Sequence, residues 1–258
     1  MLRLTQLIGL AGGRGRALKT ANAVDYDGGA DYLSRASDLA GNADSRQGIL
    51  SFWVRLDGGD GATMQLLSGN PGTGATVSLS RSSSNNLQFQ VFNSALTSFI
   101  QRNSAGGTFT ASAAWKHVLL SWDTDFSAGN KLLHFYVDGT DVGTSIADSS
   151  AAFDIDYTVA GWSVAATTTG SGVFNGALAE LYFAPGQYLD FSQEGNREAF
   201  RSSSGKPVDL GPTGSDATGT APILYLPNPA ASAGTNAGTG GNFTINGSPA
   251  TASTSPSD

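Results

Sequence analysis

Trp115-Lys116-His117-Val118-Leu119-Leu120-Ser121-Trp122 decides the fold class. Period-two alternation places Val118, Leu120 and Trp122 on one face and Trp115, His117 and Leu119 on the other. Both faces are largely apolar, which is the pattern of a central strand covered on both sides. Phe52-Trp53-Val54-Arg55-Leu56 and Leu87-Gln88-Phe89-Gln90-Val91 alternate in the same way. Further strands are expected over 63–68, 75–80, 107–112, 131–137, 157–165, 173–183 and 223–226. Turn residues separate them: Gly58-Gly59-Asp60-Gly61, Asn70-Pro71-Gly72, Asn85-Asn86, and above all Asp138-Gly139, a hairpin signal after Phe135-Tyr136-Val137. Many short strands with frequent turns predict an all-β protein, a two-sheet antiparallel sandwich.

Composition agrees. Gly, Ala, Ser and Thr make up nearly half of the 258 residues, and only three glutamates occur, Glu180, Glu194 and Glu198. The straight-chain residues that favour helix are scarce. Hydrophobic residues at 40% are enough to fill a core. The lack of cysteine excludes disulfides, a thiol nucleophile and Cys-ligated zinc. Residues 2–10 are too short and too polar for a membrane span, and Arg14, Arg16 and Lys19 follow where a leader would carry small residues.

The net charge of −7 is unevenly placed. Residues 1–24 hold Arg3, Arg14, Arg16 and Lys19 and no acid, so a basic arm precedes a strongly acidic body. That body argues against nucleic acid as a partner. The arm reads as an attachment device, with Arg3, Arg14, Arg16 and Lys19 as assembly residues. Residues 25–190 read as the sandwich. Residues 191–258 read as a short helix near 191–201, anchored by Phe191 and Phe200, then a Pro/Gly-rich extended path with a last strand at 243–245. The low-complexity end, 251–258, is expected to need a partner to be ordered.

Three segments together resemble the laminin-G-like, concanavalin-A-like jelly rolls. They are Tyr26-Asp27-Gly28-Gly29-Ala30-Asp31-Tyr32-Leu33, the pair Trp115–Val118 and Phe135–Gly139, and Phe174-Asn175-Gly176-Ala177-Leu178-Ala179-Glu180-Leu181-Tyr182. Asn196-Arg197, Gly205–Gly211, Thr218–Pro222 and Gly234–Thr244 are similar to a segment that follows such jelly rolls in tailed-bacteriophage structural proteins. The resemblance implies a virion component on a tail, fibre, collar or capsid surface, partnered by other virion proteins and by copies of itself.

Signals for catalysis are weak. Retaining glycosidases place two carboxyls roughly 5 Å apart, and this sequence lacks the glutamate pair that the resemblance would require. Glu180 stands alone in a strand, while Glu194 and Glu198 form an i,i+4 pair on the expected helix. His117 and His134 sit amid apolar residues and read as structural. There is no G-x-S-x-G elbow and no phosphate-binding loop. The expectation is a non-enzymatic protein without a cofactor, calcium at Asp123 and Asp125 being the one metal considered. Glycan stacking is considered at Trp53 and Trp162, with Tyr188 and Phe92 as further rings. The main reading is a structural or decoration protein of a phage virion, assembling through arm and tail, so that deleting residues 2–20 abolishes incorporation while leaving a folded sandwich. The alternative is an adhesin for host surface glycans, and a polysaccharide-degrading enzyme comes third.

Overall fold

The computed structural model describes residues 16–70, 72, 74–104, 107–125 and 133–258. Sixteen strands and one helical turn follow in the order β1 (Ala23–Asp27), β2 (Tyr32–Arg35), β3 (Gln47–Leu56), β4 (Met64–Asn70), β5 (Val77–Arg81), β6 (Leu87–Phe92), β7 (Phe99–Asn103), β8 (Lys116–Asp123), β9 (Leu133–Val137), β10 (Thr140–Asp141), β11 (Thr144–Asp148), β12 (Gly161–Val164), β13 (Asn175–Pro185), α1 (Glu194–Arg197), β14 (Leu224–Leu226), β15 (Thr244–Asn246) and β16 (Ala250–Thr251). They form two antiparallel sheets. The first runs β10-β9-β8-β3-β13-β1-β16 with β14 also on β13, and the second runs β11-β7-β6-β5-β4-β12-β2-β15. Among the described residues no helix is long and apolar enough to cross a membrane.

Alternation places the core as expected. Val118, Leu120 and Trp122 of β8 and Phe52, Val54 and Leu56 of β3 meet Leu79, Phe89 and Val91 of the second sheet in one buried cluster. Asp138 and Gly139 take positive φ, +51° and +85°, and close the β9–β10 hairpin. Gly48 lies beneath the Trp122 ring, where a Cβ would come within 2.1 Å of it. Gly48→Ala is therefore expected to lower stability by about 1–3 kcal/mol, read as a drop in urea midpoint at unchanged m-value. An unchanged midpoint would show that the ring can move aside.

The other face of the first sheet is covered as well. Phe191, Phe200, Val208, Leu210 and Tyr225, all from the C-terminal region, close over Ile49, Leu119, Tyr136 and Tyr182. Ala21, Ala23, Trp53 and Ala179 form a smaller cluster beside them, with Trp115 and Ala252 packed on it. The fold is thus a sandwich with a third, mostly irregular layer, and this layer supplies strands to both sheets through β14, β15 and β16. Residues 251–258 lie within it rather than awaiting a partner: Ser257 Oγ accepts from Ala21 N at 2.8 Å and donates to the Lys19 carbonyl at 2.9 Å.

The Tyr26–Leu33 stretch holds the end of β1 and the start of β2, which belong to different sheets. Two local expectations are corrected. Residues 107–112 are not a strand, because Gly107 turns at φ +73° and the amides of Phe109 and Ser112 bond to the Asn85 and Leu56 carbonyls. The helix near 191–201 shrinks to α1. Gly195 weakens its centre, and Asn196 turns its side chain back to the Asp190 carbonyl. Phe191 and Phe200 still anchor the segment, their rings edge to face at 5.9 Å.

Candidate functional site

The outer face of the second sheet is the clearest ligand-ready surface. In β6, Leu87, Phe89 and Val91 face the core, so Gln88, Gln90 and Phe92 face out. Register then fixes their neighbours. Ser80 and Asn103 flank Gln88, Ser78 and Gln101 flank Gln90, and Phe99 lies opposite Phe92. Gln65 of β4 continues the row beside Ser80, while Ser68 of β4 and Ser163 of β12, next along beside Ser78, are buried and close the floor on that side. The result is an uncharged floor of hydroxyls and amides that ends in two half-buried rings, 5.3 Å apart and tilted by 30°.

The shorter side chains lie lowest. Ser78 is 9% exposed and Ser80 6%, between taller glutamine rows. Gln65 donates from Nε2 to Ser78 Oγ at 3.0 Å, and Gln88 from Nε2 to Asn103 Oδ1 at 3.3 Å. Such amides and hydroxyls exchange hydrogen bonds with a polyol at little electrostatic cost, and phenyl faces accept its C–H groups. Phe92 was legible as a ring beyond an alternating strand. Phe99 was not, since Phe99-Ile100-Gln101-Arg102-Asn103 has too short an apolar alternation to announce β7.

The tryptophans named from sequence lie elsewhere. Trp162 is wholly buried, its ring over Gly69 and 5.5 Å from Phe183. Trp53 is 4% exposed and packs at 4.7 Å on the His117 ring beneath the third layer. Neither presents a face to a sugar, because each fills the apolar side of its strand. Tyr188 is half-buried, with its hydroxyl 3.1 Å from His134 Nε2.

Asp123 and Asp125 do not form an open oxygen cage. Asp123 is buried and accepts from Gln47 Nε2 at 2.7 Å and from the Asp125 amide at 2.8 Å, while Asp125 is paired with Arg46 at 2.7 Å. Their carboxylates serve as turn and ion-pair acceptors. Among the described residues no group of three or more His, Asp or Glu is placed to hold a metal.

The assembly residues divide. Arg3 and Arg14 lie outside the described residues. Arg16 donates to the Asp216 carbonyl, and Lys19 reaches inward: its Nζ is 3.2 Å from Glu180 Oε2 and 2.9 Å from the Tyr225 hydroxyl. These two charges tie residues 16–19 to the rest of their own chain. Backbone bonds from Lys19 to Pro207 and from Asp209 to Ala17 complete the attachment.

Glu180 sits at a bulge in β13, at φ +53°, which aims its side chain to the outer side of the sheet. Tyr225 donates its hydroxyl to Oε2 at 2.6 Å, while Oε1 has no partner. Burial raises the Glu180 pKa above its ordinary 4.5, and Lys19 and Tyr225 oppose that rise. The one strand glutamate is thus structural. Glu194 and Glu198 are exposed. His117 is buried, bonded through Nε2 to Ser51 Oγ at 3.0 Å, and pushed down to about 3 by burial and then by the Arg201 charge.

Two antiparallel sheets with this connectivity define a concanavalin-A-like sandwich. The chain belongs to the concanavalin A-like lectin/glucanases superfamily, whose laminin-G-type family model matches residues 27–186. No curated protein matches it by sequence. Among solved structures it is similar to a Bacteroides ovatus protein provisionally described as carbohydrate-binding. The TM-score is 0.58 at 14% identity, covering 91% of this chain and 61% of that one. It is also similar to a heptameric SAP-like pentraxin of Limulus polyphemus, at TM-score 0.48 and 12% identity over 66% of this chain and 78% of that one. A third is the CBM40 of the Ruminococcus gnavus IT-sialidase bound to α2,3-sialyllactose, at TM-score 0.46 and 15% identity over 66% of this chain and 93% of that one. At these identities the likeness is one of fold. The Bacteroides ovatus match covers more of the chain than the residues matched by the family model.

Proposed function

We propose that this protein is a non-catalytic carbohydrate-binding domain that takes a neutral glycan across the outer face of the second sheet. The observation that carries the reading is the uncharged floor of Ser78, Ser80, Gln88, Gln90, Gln101 and Asn103 ending in the Phe92–Phe99 pair. Neutral hydrogen-bonding groups beside aromatic faces suit sugars. The family and the description of the Bacteroides ovatus structure are in keeping with it. A glycan array on the purified protein tests it, followed by Phe92→Ala with Phe99→Ala. Loss of both rings should weaken the best glycan about tenfold or more, at roughly 1 kcal/mol per ring. Unchanged affinity, or no glycan bound at all, defeats the proposal.

A place on a phage particle is compatible with this function and rests on the C-terminal resemblance. Arg3 and Arg14 of the basic N-terminal segment would then supply the docking charges. Removal of residues 2–15 should then abolish incorporation into particles, and normal incorporation would rule the arm out.

A further inference from the structure

A second cavity lies on the outer side of the first sheet, remote in the fold from the Phe92–Phe99 platform. It measures about 240 Å³ and opens between the β8–β9 hairpin and the turn carrying α1, with His117, Tyr136 and Asp138 on one wall and Arg197, Glu198 and Arg201 on the other. The third layer creates it, so the sandwich alone would not have it.

Most of its polar groups are already engaged. Asp138 Oδ1 accepts from the His117 amide at 2.9 Å. Arg197 donates to the carbonyls of Phe191 and Ser192, at 2.5 and 3.0 Å, and lies 5.0 Å over the Tyr136 ring. Arg201 differs. Among the described residues no carboxylate reaches its guanidinium within ion-pair distance, and its buried Nε has no hydrogen-bond partner. Gly205 lies close against it, where a Cβ would stand 2.8 Å from Nη2, and Gly139 borders it at ordinary contact distance. Its charge is felt in the cavity, where it adds to the burial that keeps His117 neutral.

An arginine fork without an acceptor matches a planar oxyanion, and a carboxylate fits it with two parallel bonds. Glu194 and Glu198, both exposed, line the same cavity at its solvent side, with Ser203 beside them. They accept hydrogen bonds from hydroxyls, and they repel a dianion about twice as strongly as a monocarboxylate at the same distance. At about 240 Å³ the cavity has room for one sugar ring and not for a chain. We infer that this cavity binds a monosaccharide bearing a carboxylate, with the carboxylate on Arg201 and the hydroxyls toward Glu194, Glu198 and Ser203. The site is independent of the neutral-glycan platform, and either can fail without the other.

The test is calorimetric titration of the full chain with sodium glucuronate, with glucose and sodium sulfate as comparison probes. Glucuronate should bind, glucose at least about tenfold more weakly, and Arg201→Gln should lose about tenfold or more of the glucuronate affinity. Ser203→Trp, an exposed change at the mouth, should block binding too and covers the case in which Arg201→Gln fails to fold. Phe92→Ala with Phe99→Ala should leave glucuronate binding intact. Equal binding of glucose and glucuronate, wild-type affinity in a folded Arg201→Gln, or no heat with glucuronate up to roughly 50 mM would overturn the proposal. Sulfate as tight as glucuronate would overturn its sugar part.

Discussion

A chain ending at Gly186 is expected not to fold cooperatively, although it retains everything the family match covers. It would lose β14, β15 and β16 and expose Ile49, Leu119, Tyr136 and Tyr182 on the outer side of the first sheet. From the missing layer, Phe191, Phe200, Val208, Leu210 and Tyr225 each contribute about 2 kcal/mol by burial, roughly 10 kcal/mol together. A domain of this kind has a total stability of about 5–15 kcal/mol. The apolar face left behind would also promote association. The comparison is thermal melting and amide NMR dispersion of residues 1–186 against the full chain. A cooperative melt of 1–186 within a few degrees of the full chain would mean that the third layer is an accessory.

Lys19→Met is expected to be among the most destabilising single substitutions outside the main core. It leaves Glu180, with a side chain only 5% exposed, without its cation and with Oε1 already unpartnered. Removing one member of a buried pair costs on the order of 3 kcal/mol. The effect has a definite pH signature. Burial holds the folded pKa of Glu180 above 4.5, so its contribution is fully present below 4.5 and is lost as pH rises through the raised folded value. Lys19 limits that loss at neutral pH, and without it the folded value climbs further. The difference between wild type and Lys19→Met should therefore be small near pH 4 and grow toward pH 7 in urea titrations. Glu180→Gln in the same background should flatten the curve. A pH-independent difference would mean that Lys19 acts by packing alone. The same logic revises the expectation for deleting residues 2–20: the sandwich would lose a buried ion pair and fold less stably.

Glu180 also illustrates why part of the site was illegible. In sequence it interrupts an apolar run, and strand alternation assigns it a face but no partner. Its partners are 161 residues earlier and 45 later, and a bulge turns it toward them. Trp53 and Trp162 misled for the opposite reason. A tryptophan in an alternating strand has a stacking surface only if its side of the sheet is open, and both of theirs are closed, one by the opposing sheet and one by the third layer. Phe92 was legible because Leu87–Val91 alternates without a fault and leaves Phe92 on the polar side. The cavity at Arg201 carried no sequence signal, since it exists between a hairpin and a turn about sixty residues apart in the chain.

What the sequence determined by itself is local or periodic. Alternation with two apolar faces in Trp115–Trp122 demanded a strand covered on both sides, Asp138-Gly139 demanded a hairpin, and the scarcity of glutamate left no paired glutamates on a strand. What covers the second face was decided only in three dimensions. The low-complexity C-terminal third has little periodicity of its own, and its few apolar residues acquire a direction when they meet the exposed side of the first sheet. Burial there is a property of two distant segments together, which is why the third layer, the Lys19–Glu180 pair and the Arg201 slot appear only in the folded chain.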